Sequence, residues 1–428
     1  MDLEAVADQR WRGEVETGVE DADGGGCFTV APGVAFLPSF GNVVALSSDD
    51  GLILVDTGAD FNASAIRQSL RAWSDARVHT IVYTHGHVDH VMGARLYDDE
   101  AEEKGWPRPR VIAHERVVAR FERYALTAGY NEITNRRQFN RPRLRWPREF
   151  RFPDETYRDA TTLEIGELRL ELRHERGETD DATVVWVPER GLLCCGDLFI
   201  WTSPNAGNPQ KVQRYPREWA AALRRMADLG AEVLLPGHGL PIFGAARVHQ
   251  ALSETARYLE SIVDDVVAMM NEGASLAEIL ETVRPPSDLA DRPFLQATYD
   301  EPEFIVHAIW RRYGGWWDGD PATVKPAPVG RLAAEIVALA GGTDRVLARV
   351  AELVELGDDE SLRVAGHLME SVWGVARGST EAQLRERLYA ARAARASSTM
   401  ARGIFRGAAR ESRPPCVSPK SLQSLTSP

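Results

Sequence analysis

Cysteine is scarce in this chain, four among 428 residues, and it is not arranged to staple anything together. Cys194 and Cys195 are neighbours in a strand-like run and Cys416 sits in a Ser/Pro-rich end, so no disulfide framework of the kind that holds small secreted domains is evident. No apolar run approaches the ~20 residues that a membrane-crossing helix needs. The start, Met1-Asp2-Leu3-Glu4, is acidic where a secretory leader is basic and then apolar. These absences make the cytoplasm the expected compartment and exclude a membrane span. Positive charge is lacking too: a formal net charge of −13 argues against nucleic acid as a partner. Neither a phosphate-binding glycine loop nor a Ser-His-Asp nucleophile elbow can be found. Core material is plentiful, with 44% hydrophobic residues in a length sufficient for two domains.

The densest chemistry follows the apolar run Val78-His79-Thr80-Ile81-Val82-Tyr83, which reads as a buried strand ending at Thr84. His85, His87, Asp89 and His90 come next, with Gly86 easing the turn. Imidazole and carboxylate donors at a strand end suit Zn²⁺ and related first-row ions and offer too few oxygens for Ca²⁺. A His-rich surface turn is the bland alternative. Upstream, Val34–Leu37, Val43–Leu46 and Leu52–Asp56 read as short strands, and a helix is expected over 62–74.

This His-x-His-x-Asp-His segment resembles the signature of the metallo-β-lactamase superfamily. The resemblance implies an α/β fold, an αββα sandwich holding two divalent metal ions, with His85 and His87 on one and Asp89 and His90 on the other. It also implies that Asp56, in Asp56-Thr57-Gly58, orients the ligand loop without touching metal. Two further strand ends supply matching residues: Asp197 after Leu192-Leu193-Cys194-Cys195-Gly196, as the bridging aspartate, and His238 in Leu234-Leu235-Pro236-Gly237-His238, on the second metal. The loop Gly177-Glu178-Thr179 carries a glutamate where most of the superfamily has a histidine. Alkylsulfatases resemble this chain there, so Glu178 is expected to complete the first site, with His174 the competing candidate.

Between Lys104 and Arg151 stand thirteen Lys or Arg against four Glu and no Asp. Solvated helix faces explain most such runs; otherwise the segment is an electropositive wall for an anionic substrate. Within it Tyr130, Arg136 and Arg137 are candidates for substrate contact, because guanidinium grips sulfate, phosphate or carboxylate with paired hydrogen bonds. Asn205, in the long loop after Asp197, occupies a position comparable to the sulfate-holding Asn of alkylsulfatases. The Arg expected a little later has no clear match among Gln210, Lys211 and Arg214. The vicinal pair Cys194 and Cys195 is either small apolar filling of a buried strand or a redox or metal pair.

Composition turns helical near Ala245, where Leu252, Ala256, Leu259, Val263, Val266 and Met270 form an apolar seam. The run Trp310 to Pro321 resembles the dimerisation domain of alkylsulfatases, and its Trp310, Trp316 and Trp317 suit an interface, a core or an alkyl pocket. Successive helices are expected over 331–408, four of them bounded within 332–397, and the sterol-carrier-like domain of longer family members is not found. The expected organisation is a flexible N-terminal arm, loose or helical, over 1–26, a catalytic domain over 27–245, an all-α dimerisation domain over 246–410 and a disordered tail over 411–428. The expected function is that of a dinuclear zinc-dependent hydrolase and homodimer, cleaving an alkyl sulfate or related small anionic ester with a metal-bridging hydroxide. Asp89, orienting or deprotonating the nucleophile, and Asp197 are its catalytic carboxylates. Hydrolysis of a thioester, lactone or phosphoester, an iron-dependent redox reaction, and a binding module with structural metals are the alternatives.

Overall fold

Runs of β-branched and aliphatic residues separated by turn residues make strands because branched side chains pack well on a pleated surface. In the computed structural model, which describes residues 2–15 and 26–413, such runs pair into a seven-stranded and a six-stranded sheet. The first contains, in spatial order, β1 (Phe28–Ala31), β2 (Val34–Leu37), β3 (Val43–Ser48), β4 (Gly51–Val55), β5 (Val78–Val82), β6 (Arg110–His114) and β7 (Glu155–Tyr157). It is antiparallel up to β4 and parallel from β4 to β7. The second runs from β8 (Ala160–Ile165) through β9 (Leu168–Glu175), β10 (Ala182–Val187), β11 (Leu192–Gly196) and β12 (Val233–Pro236) to β13 (Ile242–Phe243), with only β11 and β12 parallel.

Period-two alternation stacks these sheets. Phe36, Ile53 and Val55 of the first sheet share one core with Leu170, Leu172 and Val185 of the second. Their neighbours Val43, Leu52 and Leu54 point the other way, onto Ile66, Tyr97 and Phe121 from the helices Ala63–Trp73, Ala94–Lys104 and Arg116–Leu126. On the far side, Leu193 and Leu234 pack with Trp219 and Leu223 of Pro216–Ala227 and with Leu252 and Leu259 of Ala245–Asn271. Helices thus cover both outer faces, the αββα sandwich expected from the metal motif. No helix among the described residues is long and apolar enough to cross a membrane.

The compact unit extends past the composition change at Ala245: it comprises 1–132 and 145–319, whereas 133–144 and 320–428 form a second unit. The apolar seam explains the shift, since Leu252, Ala256, Leu259, Val263 and Val266 are buried against the outer face of the second sheet's helical layer and not in a separate domain. The second unit has its own core, with Val350, Leu362, Met369 and Leu388 from Thr343–Leu356, Asp359–Trp373 and Ser379–Arg395. A further helix, Thr399–Glu411, is capped by Ser398, whose hydroxyl accepts from the Ala401 N–H at 3.1 Å. It is a helix beyond the four bounded from sequence, and most of it lies within the stretch 331–408 expected to be helical. Of the N-terminal arm, expected to be loose or helical, Leu3–Trp11 is a helix with Leu3 and Ala7 buried and Trp11 stacked on Phe294 at 5.5 Å. The rest of the arm over 16–25, and the expected tail beyond 413, lie outside the described residues.

Alternation also settles the cysteine pair. Cys194 faces the core between the sheets and Cys195 the helical layer, so the two thiols leave opposite faces of β11 and share no site. Burial pushes both thiols up from their ordinary value, which suppresses the reactive thiolate. Alkylation mapped by mass spectrometry is expected to leave Cys194 and Cys195 unmodified in the native protein and to modify both after denaturation.

Candidate metal centre

The parallel strands place their exits on one edge. β5 hands the chain to the loop 83–87 and the short helix Val88–Val91, Asp197 directly follows β11, and the β9–β10 hairpin turns at 176–181. β12 then delivers His238. The last step needs a glycine: a Cβ at Gly237 would lie 2.3 Å from the Asp197 carboxylate, so any side chain there would push the two strand exits apart.

The side chains so delivered form two groups whose donor atoms lie within 4.8 Å of one another: His85, His87, Glu178 and Asp197 in one, Asp89, His90 and His238 in the other. Asp197 stands between them. Its Oδ2 is 3.5 Å from His85 Nε2 and 3.4 Å from His238 Nε2, and its Oδ1 is 3.3 Å from His90 Nε2. His87 Nδ1 lies 3.5 Å from Glu178 Oε2, and His238 Nε2 lies 3.4 Å from Asp89 Oδ2. Glu178 is thus in the cluster, whereas His174 stacks on His114 at 3.7 Å and its Nε2 faces the Asp180 carbonyl at 2.9 Å.

Among these atoms His85 Nε2, His90 Nε2, Glu178 Oε2 and Asp197 Oδ1 are buried with no hydrogen-bond partner. One such atom costs about 1–3 kcal/mol, and here four face a common centre. Divalent cations would satisfy them together, and a set of imidazole nitrogens and carboxylates fits first-row ions. Burial pushes the Glu178 carboxyl up to about 7. Burial also opposes ionisation of Asp197, but His238, His90 and His85 outweigh it and hold that carboxyl well below its usual range.

Three sets of contacts aim the donors. Asp56 accepts from the Thr84 N–H and hydroxyl, both at 2.7 Å, and its Oδ2 meets His90 Nδ1 at 2.8 Å. The Thr84 hydroxyl also meets His85 Nδ1 at 3.0 Å, so each imidazole is held by Nδ1 with Nε2 turned inward. Arg120, from Arg116–Leu126, donates to both oxygens of Asp181 at 2.6 and 2.8 Å, and Asp181 accepts the Gly86 N–H at 3.1 Å. That pair locks the His85–His87 loop to the Glu178 loop. Finally Asn205 donates to Glu178 Oε1, and Arg214 donates to the Glu178 carbonyl at 2.5 Å while its other nitrogen is 3.2 Å from Oε1.

The positions expected to contact substrate divide. Asn205 is at the cluster, and Arg214, which sequence left unresolved, joins it; Lys211 is close enough for Glu178 and Asp89 to act on its charge, and burial drops it to about 8. Tyr130 is exposed on Ala128–Gln138, a helix that continues the chain into the second unit. Arg136 and Arg137 belong to that second unit, where Arg136 donates to the Leu144 carbonyl at 2.8 Å and Arg137 pairs with Glu411 at 3.5 Å. All three residues lie on one helix, Ala128–Gln138. Sequence reading passed over Arg120 and Asp181; only the run of acidic residues after Glu178 hinted at them.

Breaking the Arg120–Asp181 pair is expected to be costly, because both groups are fully buried. Arg120→Ala should lower unfolding free energy by about 3–5 kcal/mol, read from denaturant titration. Arg120 outweighs burial to hold the Asp181 carboxyl below its usual range, so that contribution is present above roughly pH 4 and lost as pH falls below it. Asp181→Asn should correspondingly flatten the acid limb of the stability profile.

Residues 37–238 match the metallo-beta-lactamase superfamily and residues 275–414 match the alkyl sulfatase dimerisation family. A linear primary-alkylsulfatase from Pseudomonas sp. (strain ATCC 19151) is 29% identical over 73% of this chain and 63% of its own length. An (R)-specific secondary-alkylsulfatase from Pseudomonas sp. is 24% identical, over 77% and 54%. The chain therefore spans between about half and just under two-thirds of these curated relatives. The solved structure of the inverting sec-alkylsulfatase Pisa1 from Pseudomonas sp. shares the fold, with a TM-score of 0.80 at 20% identity over 96% of this chain and 71% of that one. The two matches lie in series, so the two-sheet sandwich is a metallo-beta-lactamase fold and the segment that matches the alkyl sulfatase dimerisation family follows it.

Proposed function

We propose that this protein is a dinuclear zinc hydrolase that cleaves alkyl sulfates or closely related anionic esters. The observation that carries the reading is Glu178: a carboxylate in the first donor group, backed by Asn205 and Arg214, where a histidine is usual in the superfamily. The alkylsulfatase relatives support the same substrate class. His85, His87 and Glu178 would hold one ion, Asp89, His90 and His238 the other, with Asp197 between. When bound, the ions supply Lewis acidity that lowers the pKa of water and draws charge from an ester oxygen.

The chain's own groups do the rest. Asp197 fixes the spacing of the two donor groups. Asp89, in the second group and partly open to solvent, orients the attacking water and accepts its proton. Arg214 and Lys211 put positive potential beside Glu178, and the buried Arg214 Nε has no partner among the described residues, leaving a donor for an anionic oxygen. Asn205 holds the Glu178 carboxylate and presents its unpartnered Oδ1 nearby.

We also propose that the protein works as a homodimer through its helical region. Val329, Leu332 and Leu339 are exposed at spacings of three and seven on Val329–Ala340, and this stripe lies within the segment that matches the alkyl sulfatase dimerisation family.

Elemental analysis of purified protein is expected to give two zincs per chain, and medium-chain alkyl sulfate to release sulfate. In Glu178→Ala one zinc should be lost and kcat/KM should fall at least about a hundredfold. Two zincs with no sulfate release, but with turnover of a thioester, lactone or phosphoester, would reassign the substrate; iron in place of zinc would reopen redox chemistry. Sedimentation should give a dimer, with Leu332→Glu/Leu339→Glu shifted to monomer; an unshifted dimer would place the interface elsewhere.

A further inference from the structure

The chain from Leu198 to Tyr215 has neither helix nor strand, yet it carries Asn205, Lys211 and Arg214 to the metal centre. Its own backbone makes few internal hydrogen bonds, so its shape has to come from what it rests on. Most of those supports lie far along the chain. Ser203 N–H donates to the Gln296 carbonyl at 2.9 Å, the Thr202 hydroxyl to the same carbonyl at 2.6 Å, and Gln213 Nε2 to the Ala308 carbonyl at 2.9 Å.

Asp300 is the centre of this stitching. Its side chain is fully buried. One carboxylate oxygen accepts the Gly207 N–H at 2.6 Å and the other accepts the Glu301 N–H at 2.8 Å. It makes no ion pair among the described residues, and burial pushes the group up to about 7 against those two N–H donors. A buried carboxyl with no cation on it is expensive unless its hydrogen bonds are needed. Gly207 is pressed onto the first turn of Pro302–Gly314: a Cβ there would sit 2.0 Å from the Phe304 carbonyl carbon and 2.2 Å from the Ile305 nitrogen. The contact is therefore backbone against backbone, with Asn205 two residues to one side.

We propose that Asp300 is a positioning residue of the metal centre, which by holding Gly207 against Pro302–Gly314 sets Asn205 and Arg214 onto Glu178. The segment that matches the alkyl sulfatase dimerisation family then has a second task within the same compact unit. It supplies the anvil on which one wall of the catalytic pocket is shaped. This role deepens the proposed hydrolysis and rests on it for its kinetic consequence alone.

Hydrogen–deuterium exchange of the metal-loaded full chain tests it directly. Asp300→Ala and Gly207→Ala are each expected to speed exchange across 203–214 by about tenfold, with the 84–91 segment unchanged. Leu163→Ala, a truncation in the core between the sheets, should lower stability without that local signature. In Asp300→Ala and Gly207→Ala, but not in Leu163→Ala, KM for the hydrolysed ester should rise about tenfold, while Asp300→Asn, which keeps one accepting oxygen, falls in between and serves if the alanine variant does not fold. Exchange over 203–214 matching wild type in Asp300→Ala, or raised equally throughout the chain, would overturn the assignment. If wild type cleaves no ester, the hydrolase reading fails, and the exchange comparison still decides whether Asp300 shapes the loop.

Discussion

Six ionisable donors gather around one carboxylate, Asp197, and of the seven only His87 and Asp89 are not fully buried. Taken out of water without a cation, such a cluster would be among the costliest groupings a protein can assemble. Its presence constrains everything around it. Strands must end on one edge, Gly237 must carry no side chain, and His85, His90 and Glu178 are held from behind by Thr84, Asp56 and Asn205. The sandwich supplies the first requirement, since its three apolar layers fix the strands and leave their exits free for polar work.

Holding the donors is divided among parts of the chain far apart in sequence. Asp56 grips His90 and, through Thr84, His85. Arg120 reaches from a helix to Asp181 and ties two donor loops together. Asn205 and Arg214 hold Glu178 from a loop with no regular structure, which is why the supports at Gln296, Asp300 and Ala308 matter. A carboxylate at position 178 makes the first donor group more negative than an imidazole would, and the Arg214 guanidinium 3.2 Å from its Oε1 offsets that charge.

What was legible in the sequence was local. His85, His87, Asp89 and His90 fall within six residues, and Asp197 and His238 each follow a strand-like run, so alternation and a resemblance were enough to collect them. The strands were legible as apolar or alternating runs between turns, and their layering as an αββα sandwich only through the resemblance. Contacts across long separations were not. Arg120 is one of thirteen cations in its stretch, and nothing local says that it meets Asp181, 61 residues on. Tyr130, Arg136 and Arg137 were candidates for substrate contact by composition, which carries no geometry; they lie on Ala128–Gln138, which leaves the first unit. The seam from Leu252 to Val266 predicted a buried face, with the first domain or a partner subunit to cover it, and the chain's own first unit is what covers it.

The measurement that bears most directly on this account is anomalous diffraction at the zinc edge from crystals of the metal-loaded protein. The account predicts two peaks per chain, one ringed by His85, His87 and Glu178, the other by Asp89, His90 and His238, with Asp197 touching both. A single peak, or a pair in which Glu178 takes no part, would contradict it.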